Sequence, residues 1–297
     1  MGLHLFVWLL LSAIWGSTWL FIKIGLADLP PFTFAGIRFV IAVIPLLILY
    51  FARKPTLPKS TREVGLILFT GFLTFSLNYG LVFWGETFIS SGLTAIIYTS
   101  LPLFGLMLAH VHLPAEPMTV VKTTGVLLGI AGVTLIFSNQ IRLENKYAFW
   151  GALAIVAAAL VTAYAGILIK AHGSQLDPLV LTIGQMLVGF MPLLAAGLIL
   201  EGNPLAHNWT LKAWLSLSYL ALIGSSLTFV LLYWLMQKMA VTKTQLIPLA
   251  STLLAVILGN IILNEALNWR TTLGGLGILS GLALTSWGYK RAHESKK

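Results

Sequence analysis

The sequence has no cysteine and very few charges. Among its 297 residues there is no Cys, and Asp, Glu, Lys and Arg together make up only 9%. The absence of cysteine excludes disulfides, thiolate metal sites and cysteine nucleophiles. Soluble domains carry roughly 25% charged residues, so this chain lacks the side chains needed to cover a surface that faces water.

Apolar residues replace the missing charges. They make up 58% of the sequence, and its mean hydropathy is +0.92. Apolar runs of about 18 residues or more recur, and each is long enough for a bilayer core about 30 Å thick. We predict ten spans, at roughly 5–26, 32–51, 64–85, 89–111, 119–137, 149–170, 179–200, 211–236, 241–263 and 271–289. The loops are short, so the function is expected within or across a lipid bilayer.

The net charge of +9 is explained better by membrane topology than by nucleic-acid binding. With the N-terminus placed in the cytoplasm, twelve of the 18 Lys and Arg residues fall on the cytoplasmic side and five outside. Positive charges concentrate in cytoplasmic loops. We therefore predict a multi-pass protein of the plasma membrane, or of the inner membrane in a Gram-negative bacterium. Both termini, including a basic tail at 290–297, are predicted to be cytoplasmic.

The chain contains an internal repeat. Three residues of the first two spans recur 147 residues later: Lys23, Pro31 and Pro45 as Lys170, Pro178 and Pro192. Three more recur at a spacing of 149: Glu116, Gly125 and Gly132 as Glu265, Gly274 and Gly281. Residues 5–137 and 149–289 are therefore predicted to be two halves of five spans each. Because five is odd, the halves are predicted to be inverted, as in secondary transporters.

Short motifs in several spans point to a known family. Span 1 reads AIWGSTWLFIKIGL, span 2 reads PPFTFAGIRFVIA, and FWGETFISSGLTAIIYTSLP joins spans 3 and 4. The last two spans contain LNEALNWRTTLGGLGILSGLALT. Over essentially the whole chain this resembles the EamA family of the drug/metabolite transporter superfamily. The resemblance implies an all-α fold of ten transmembrane helices, export of amino acids or related metabolites, and a central cavity between spans 1, 3, 4, 6, 8 and 9.

Aromatic and polar residues at mid-span depth are the candidate solute-binding groups. Tyr and Trp usually lie at the membrane interface, so their presence deep in spans is unexpected. Eight residues are predicted to line the cavity: Trp15, Thr18, Asn78, Tyr79, Tyr98, Tyr164, Tyr233 and Gln245. Such a wall suits a small amphipathic solute such as an amino acid or an aromatic metabolite. The alternative for the Ser and Thr residues is that they serve helix packing.

Arg38 is the one charge well inside a span, and its repeat counterpart, 147 residues later, is Gln185. A charged residue within the membrane is a functional hypothesis by default. Two interpretations remain open. Either both residues anchor the bundle by bonding backbone carbonyls freed by neighbouring prolines, or Arg38 contacts an anionic group of the solute.

The nine carboxylates fall in loops or at span ends. Glu86, near the end of span 3, lies nearest to the membrane interior. It is interpreted either as an interfacial helix cap or as a residue that couples transport to protons.

Prolines inside spans predict helix breaks, because each removes a backbone hydrogen bond. Pro102 in span 4 and Pro248 in span 9 are predicted hinges beside the cavity; the alternative is that they only improve packing.

Other classes of function have less support in the sequence. His110 and His112 lack a third ligand nearby, so no metal site is predicted. There is no Walker motif, and no cofactor is expected. Nucleosides, sugars or drugs remain alternative solutes, and a non-transporting membrane subunit or an intramembrane enzyme remains an alternative class. Glycines at four-residue spacing allow close helix approach between the halves or between two copies, so a homodimer stays open.

Overall fold

A computed structural model describes residues 2–136, 138, 147–253 and 269–294. Every regular element in these residues is helical. We number the main helices in chain order: α1 Gly2–Leu26, α2 Pro31–Arg53, α3 Thr61–Phe88, α4 Ser91–His112, α5 Val120–Ile136, α6 Ala148–His172, α7 Pro178–Leu200, α8 Leu211–Lys238, α9 from Val241–Thr244 to residue 253, and α10 Trp269–Glu294. A short 3-10 helix, Pro204–Ala206, precedes α8.

Within the described residues, seven helices are long and apolar enough to cross a bilayer: α1 to α4 and α6 to α8. Helices α5 and α10 contain shorter apolar stretches, Val120–Leu135 and Thr272–Thr285. Residues 254–263 of the predicted ninth span, and Glu265, lie outside the described residues. Helix α10 continues through residues 290–294, which were predicted to be a separate tail. The count of ten spans, the inverted halves and the cytoplasmic termini stay predictions.

The sequence marks many helix starts through caps. Ser60 and Glu63 form a capping box at the start of α3, in which each side chain bonds the backbone N–H of the other. Ser90, Asp177 and Thr210 accept from backbone N–H groups at the starts of α4, α7 and α8. These caps satisfy N–H groups that have no partner within the helix. They account for the short connections between long helices.

Two helices change to π-helical pitch near their middles. The π segments are Phe72–Asn78 in α3 and Leu222–Leu227 in α8, and their first residues are 150 positions apart. Such π segments are rare and occur frequently at functional sites. The first segment contributes Thr74 and Asn78 to the wall of the cavity described below, and the second lies just before the α8 residues that line it.

A serine in each π segment contacts the helix of the other half. Ser76 donates a 2.8 Å hydrogen bond to the carbonyl of Gly189 on α7, and Ser226 donates a 2.6 Å bond to the carbonyl of Ala42 on α2. The two donors are 150 residues apart and the two acceptors 147 apart. Each acceptor lies three residues before a proline that disrupts the helical hydrogen bonding, Pro192 or Pro45. The serines therefore supply hydrogen bonds where those helices are weakened.

Helices α5 and α10 pack backbone to backbone. A Cβ added at Gly132 would meet the backbone of Gly274, and one added at Gly281 would meet the backbone of Gly125. Gly132 and Gly281 are counterparts in the repeat, and so are Gly125 and Gly274, so the contact is reciprocal. These glycines serve an interface within the chain. They are not free to join two copies, and the homodimer stays a prediction without a surface assigned to it.

Candidate cavity between the two halves

The structure contains a cavity of about 130 Å³ between helices of both halves. One water molecule needs about 10–15 Å³ of such space, so there is room for a small solute. The wall comes from α1, α3, α4, α6, α8 and α9, with Arg38 added from α2. These six helices are the ones that the family resemblance implied.

Seven of the eight predicted solute-binding residues lie in this wall: Trp15, Thr18, Asn78, Tyr79, Tyr98, Tyr233 and Gln245. Their part in solute binding stays a prediction. On α1 the lining residues form one helix face, because Trp15 lies three and four positions before Thr18 and Trp19, and Ile22 lies four and three positions after them.

Tyr164 does not line the cavity, and its predicted position was wrong. Helix α6 turns Thr162, Gly166 and Ile169 toward the cavity. Tyr164 is two residues from Thr162, which is about 200° around the helix. Its ring lies instead 6.1 Å from the ring of His112. The repeat could have identified the correct α6 face. Adding 147 to the numbers of the cavity-lining residues Trp15, Trp19 and Ile22 gives 162, 166 and 169, which are the α6 positions that line the cavity.

A polar network centred on Tyr98 joins three helices at the cavity wall. The Tyr98 hydroxyl donates to Asn78 Oδ1 at 3.2 Å and lies 3.0 Å from Thr162 Oγ1. Asn78 in turn donates to the carbonyl of Thr74. The Trp19 ring meets Tyr98 edge to face, with 5.3 Å between ring centroids. These contacts fix the Tyr98 side chain in the cavity wall.

An aromatic cluster forms the neighbouring part of the wall. Phe229 of α8 lies 5.8 Å from Trp15, 6.3 Å from Tyr79 and 6.0 Å from Tyr233, measured between ring centroids. Sequence reasoning missed Phe229 and Trp19. Phe229 is 150 residues after Tyr79, so the spacing that relates the π segments identifies it.

Arg38 is buried, with 1% of its surface exposed, yet it reaches the cavity wall. Its Nε donates to Ser225 Oγ at 2.8 Å, and its Nη2 donates to the carbonyl of Gly224 at 3.2 Å. Its guanidinium carbon lies 4.8 Å from the centroid of the Tyr79 ring. Nη1 has no hydrogen-bond partner among the described residues. Arg38 is the only charged residue in the described cavity wall, so its charge meets no acidic side chain there.

Gln185 occupies the matching position on α7 but has a different environment. Its Nε2 donates to Thr70 Oγ1 at 2.6 Å, and its Oε1 accepts from the Tyr233 hydroxyl. It does not line the cavity. The hypothesis that Arg38 and Gln185 bond proline-freed carbonyls was wrong. Serines of the π segments bond carbonyls near the prolines, and Arg38 reaches a carbonyl in a helix segment without proline.

Helices α4 and α9 are both interrupted close to their prolines. In α4 the break falls at Thr99 and Ser100, before Pro102; in α9 it falls at Gln245 and Leu246, before Pro248. Pro248 lines the cavity, whereas Pro102 does not. Their use as hinges stays a prediction.

Gln245 lies at the α9 break. It donates to the carbonyl of Ala163 at 3.2 Å and fits against Gly105, where an added Cβ would overlap its amide. The break thus allows α9, α4 and α6 to meet closely beside the cavity.

The sequence profile of the EamA-like transporter family matches residues 3–138 and again residues 149–287. The chain belongs to this family. Members of the EamA-like transporter family are transporters and not enzymes, and the chain is a multi-pass membrane protein.

Relatives match along nearly the whole chain. The uncharacterized transporter YoaV of Bacillus subtilis is 28% identical over 281 residues, which cover 94% of this chain and 95% of YoaV. The uncharacterized inner membrane transporter YedA of Escherichia coli K12 is 28% identical over 265 residues, covering 87% and 82%. A crystal structure of a protein with 16% identity superposes with a TM-score of 0.81 over 97% of this chain and 98% of that one, which supports the fold alone.

A second polar site of this EamA-family protein lies at one end of the cavity. Lys23 Nζ of α1 donates to the carbonyls of Glu86 and Ile89 at 2.7 and 3.0 Å. Lys23 therefore caps the end of α3. The Glu86 carboxylate is fully buried and bonds no backbone group of the described residues, so the interpretation of Glu86 as an interfacial cap was wrong.

Proposed function

We propose that the chain is a secondary transporter that carries a small amphipathic organic acid through the central cavity by alternating access. Amino acids are the leading class, and the family resemblance favours export from the cytoplasm. The observation that carries this proposal is the cavity between the two halves, which combines an aromatic wall with a buried guanidinium that has no acidic partner among the described residues.

Alternating access is supported by how the halves meet. Both halves contribute helices to the cavity, and serine contacts of equivalent geometry join α3 to α7 and α8 to α2. Related halves around a shared site can exchange conformations, so that the site opens first to one side and then to the other. The breaks in α4 and α9 supply places where such helices could bend.

The charge of the wall favours an acid. A buried cation without a counter-charge is unfavourable, and a bound carboxylate would pair with it. Arg38 Nη1 is the donor available for such a bond, and guanidinium groups are well suited to carboxylates. Neutral nucleosides or sugars would leave Arg38 unpaired. The apolar part of the solute would contact Trp15, Phe229 and Tyr79.

Counterflow in proteoliposomes tests this function. Proteoliposomes that contain the purified protein are loaded with one unlabelled L-amino acid at a time, and uptake of the same amino acid in labelled form is measured. Nucleosides and sugars are tested in parallel. We expect exchange of at least one amino acid. Tyr98→Phe should weaken exchange because it removes the hydroxyl that links α3, α4 and α6, while Tyr164→Phe, outside the cavity, serves as the matched control. Exchange of neutral sugars or nucleosides alone would contradict the proposed solute class, and no exchange of any probe would contradict transport.

A further inference from the structure

The two halves provide an internal comparison for the buried carboxylate of Glu86. Lys170 of α6 donates to the carbonyls of Met236 and Met239 at 2.6 and 2.9 Å, as Lys23 does to those of Glu86 and Ile89. The two lysines are 147 residues apart, and their acceptors are 150 apart. Methionine therefore stands where the first half has Glu86. The lysine cap of α8 forms with Met236 at this position, so a lysine cap of this kind does not require a carboxylate side chain.

Glu86 is unfavourable where it lies. It has 0% of its surface exposed, and neither carboxylate oxygen has a hydrogen-bond partner among the described residues. An ionised carboxylate without hydrogen bonds is strongly destabilised in such surroundings. A group of this kind is retained for a purpose other than stability.

The position of Glu86 connects it to the cavity. Val82, one helical turn before Glu86 on α3, lines the cavity. Ile22, the neighbour of Lys23 on α1, lines it as well. Glu86 therefore lies just beyond the wall at this end, where movement of α1 against α3 would expose it.

Among the described residues, the charge that acts on the Glu86 carboxylate is the ammonium of Lys23, which bonds the backbone carbonyl of Glu86. Arg38, on α2, is held against Tyr79. The other ionisable groups on α3 and on the helices packed here lie farther along them or at their opposite ends: His4 on α1, Tyr50 and Arg53 on α2, Arg62, Glu63 and Tyr79 on α3, Tyr98, His110 and His112 on α4, and Tyr164, Lys170 and His172 on α6. Tyr147, just before α6, is half exposed, and its ring lies tilted against Phe88, with 5.7 Å between ring centroids.

We propose that Glu86 binds the proton that couples transport to a proton gradient, an inference that rests on the proposed transport function. In the described conformation the carboxyl group carries a proton and is sealed from water. When the cavity opens at this end, the group meets water beside the Lys23 ammonium, which favours loss of the proton to that side. A metal ion fits poorly, because the adjacent ammonium repels it and the described residues contain no group of three acidic or histidine side chains.

Infrared difference spectroscopy tests proton binding without any solute. Full-length protein in lipid is titrated with acid and base, and the absorption of protonated carboxylic acids is followed. At neutral pH, where exposed carboxyl groups are ionised, we expect a band in the wild type that disappears in Glu86→Gln and persists in Glu63→Gln, whose residue can still form the α3 capping box. A neutral-pH band that survives in Glu86→Gln, or no such band in the folded wild type, overturns the proposal.

Vesicle transport tests coupling, using an amino acid that exchanges in counterflow. In the wild type a pH gradient should drive its accumulation. Glu86→Gln should keep counterflow and lose that accumulation, and Glu86→Asp should restore it. Glu86→Met, which copies the second half, is the second variant if the Gln form folds poorly.

Three transport results overturn the inference: a wild type that ignores the pH gradient, a Gln or Met variant that still responds to it, or loss of counterflow in folded variants. The first of these leaves transport itself intact. If no amino acid exchanges in the wild type, the transport proposal fails, and the infrared titration still decides whether Glu86 binds the proton.

Discussion

Ser76 and Ser226 make the same contact in the two halves, whereas Arg38 and Gln185, at matching positions of α2 and α7, do not. Each serine closes a gap beside a proline. Of the other two residues, Arg38 reaches the cavity, and Gln185 is engaged by Tyr233 and Thr70 away from it. The serine contacts that hold the halves together are duplicated, while the charge of Arg38 has no charged counterpart in the second half.

Glu86 and Met236 show the same division. The lysine contacts at the two helix ends are equivalent, yet one end has a carboxylate and the other a thioether. Met236 lines the cavity and Glu86 lies just outside its wall. Repetition thus indicates which contacts build the scaffold, and departures from repetition point to residues with another task. Exchanging residues between matching positions tests this division.

The largest effect is expected from Arg38→Gln, which gives α2 the residue of its counterpart. If the solute is an acid, its affinity should fall by about 30-fold or more, because removing one partner of a buried charge pair costs about 2–5 kcal/mol. Counterflow at increasing concentrations of the exchanging amino acid measures this.

Gln185→Ala is the matched control for Arg38→Gln. It should lower the melting temperature by breaking two buried hydrogen bonds, one of them to the cavity-lining Tyr233. It should reduce the affinity far less than Arg38→Gln does, since Gln185 itself does not line the cavity. Unchanged affinity in folded Arg38→Gln would assign Arg38 to the scaffold.

Much of the fold could be predicted from the sequence. Hydropathy located α1 to α4 and α6 to α8, because runs of apolar residues bounded by Pro, Ser or Asp leave few alternatives in lipid. Seven of the residues that line the cavity followed from aromatic and polar side chains at unusual depth, among them Trp15, Tyr79 and Tyr98. The family resemblance contributed the choice of helices.

Several features of the site could not be read from single residues. Tyr164 is an aromatic residue at mid-span depth like those that line the cavity. It lies only two residues from Thr162, but an offset of two residues places a side chain on the opposite face of a helix. The π segments arise from packing rather than from a residue type with a preference for them. Glu86 lies near a helix end, where a carboxylate is ordinarily solvated, and its burial depends on how α1 and α6 pack against α3.

The next largest effect concerns the reciprocal contact between α5 and α10. Gly132→Ala and Gly281→Ala should each lower the free energy of unfolding by about 1–3 kcal/mol, because an added Cβ forces the packed backbones apart. Chemical denaturation in mild detergent measures both. Gly65→Ala is the control, since nothing lies within 4 Å of a Cβ there. Unequal losses would show that the contact, despite its reciprocal geometry, is not energetically equivalent in the two halves.

A smaller effect, of opposite sign, is expected for Glu86→Met. The Glu86 carboxylate is buried and has no hydrogen bond to the described residues. Replacing it by an apolar side chain of similar size should leave the free energy of unfolding unchanged or raise it by up to about 2 kcal/mol. The same denaturation assay applies, with Glu63→Met as a control that should be destabilising because it breaks a capping box. A large loss of stability in Glu86→Met would mean that the carboxylate supports the fold. The difference between Glu86 and Met236 would then no longer indicate that Glu86 has a task other than stability.

The smallest effect belongs to the two serines. Ser76→Ala and Ser226→Ala should each cost about 0.6 kcal/mol, the average for a side-chain hydrogen bond inside a membrane protein. Ser12→Ala is the control, because Ser12 bonds only a carbonyl of its own helix. The Ser226 hydroxyl also lies 3.0 Å from the carbonyl of Ala221, so it shares its proton between two acceptors. Equal losses of unfolding free energy would mean that the hydrogen bond between the halves determines the effect. A larger loss for Ser226→Ala would mean that its bond within α8 adds to the stability. The duplicated contact would then be stronger in the second half than in the first.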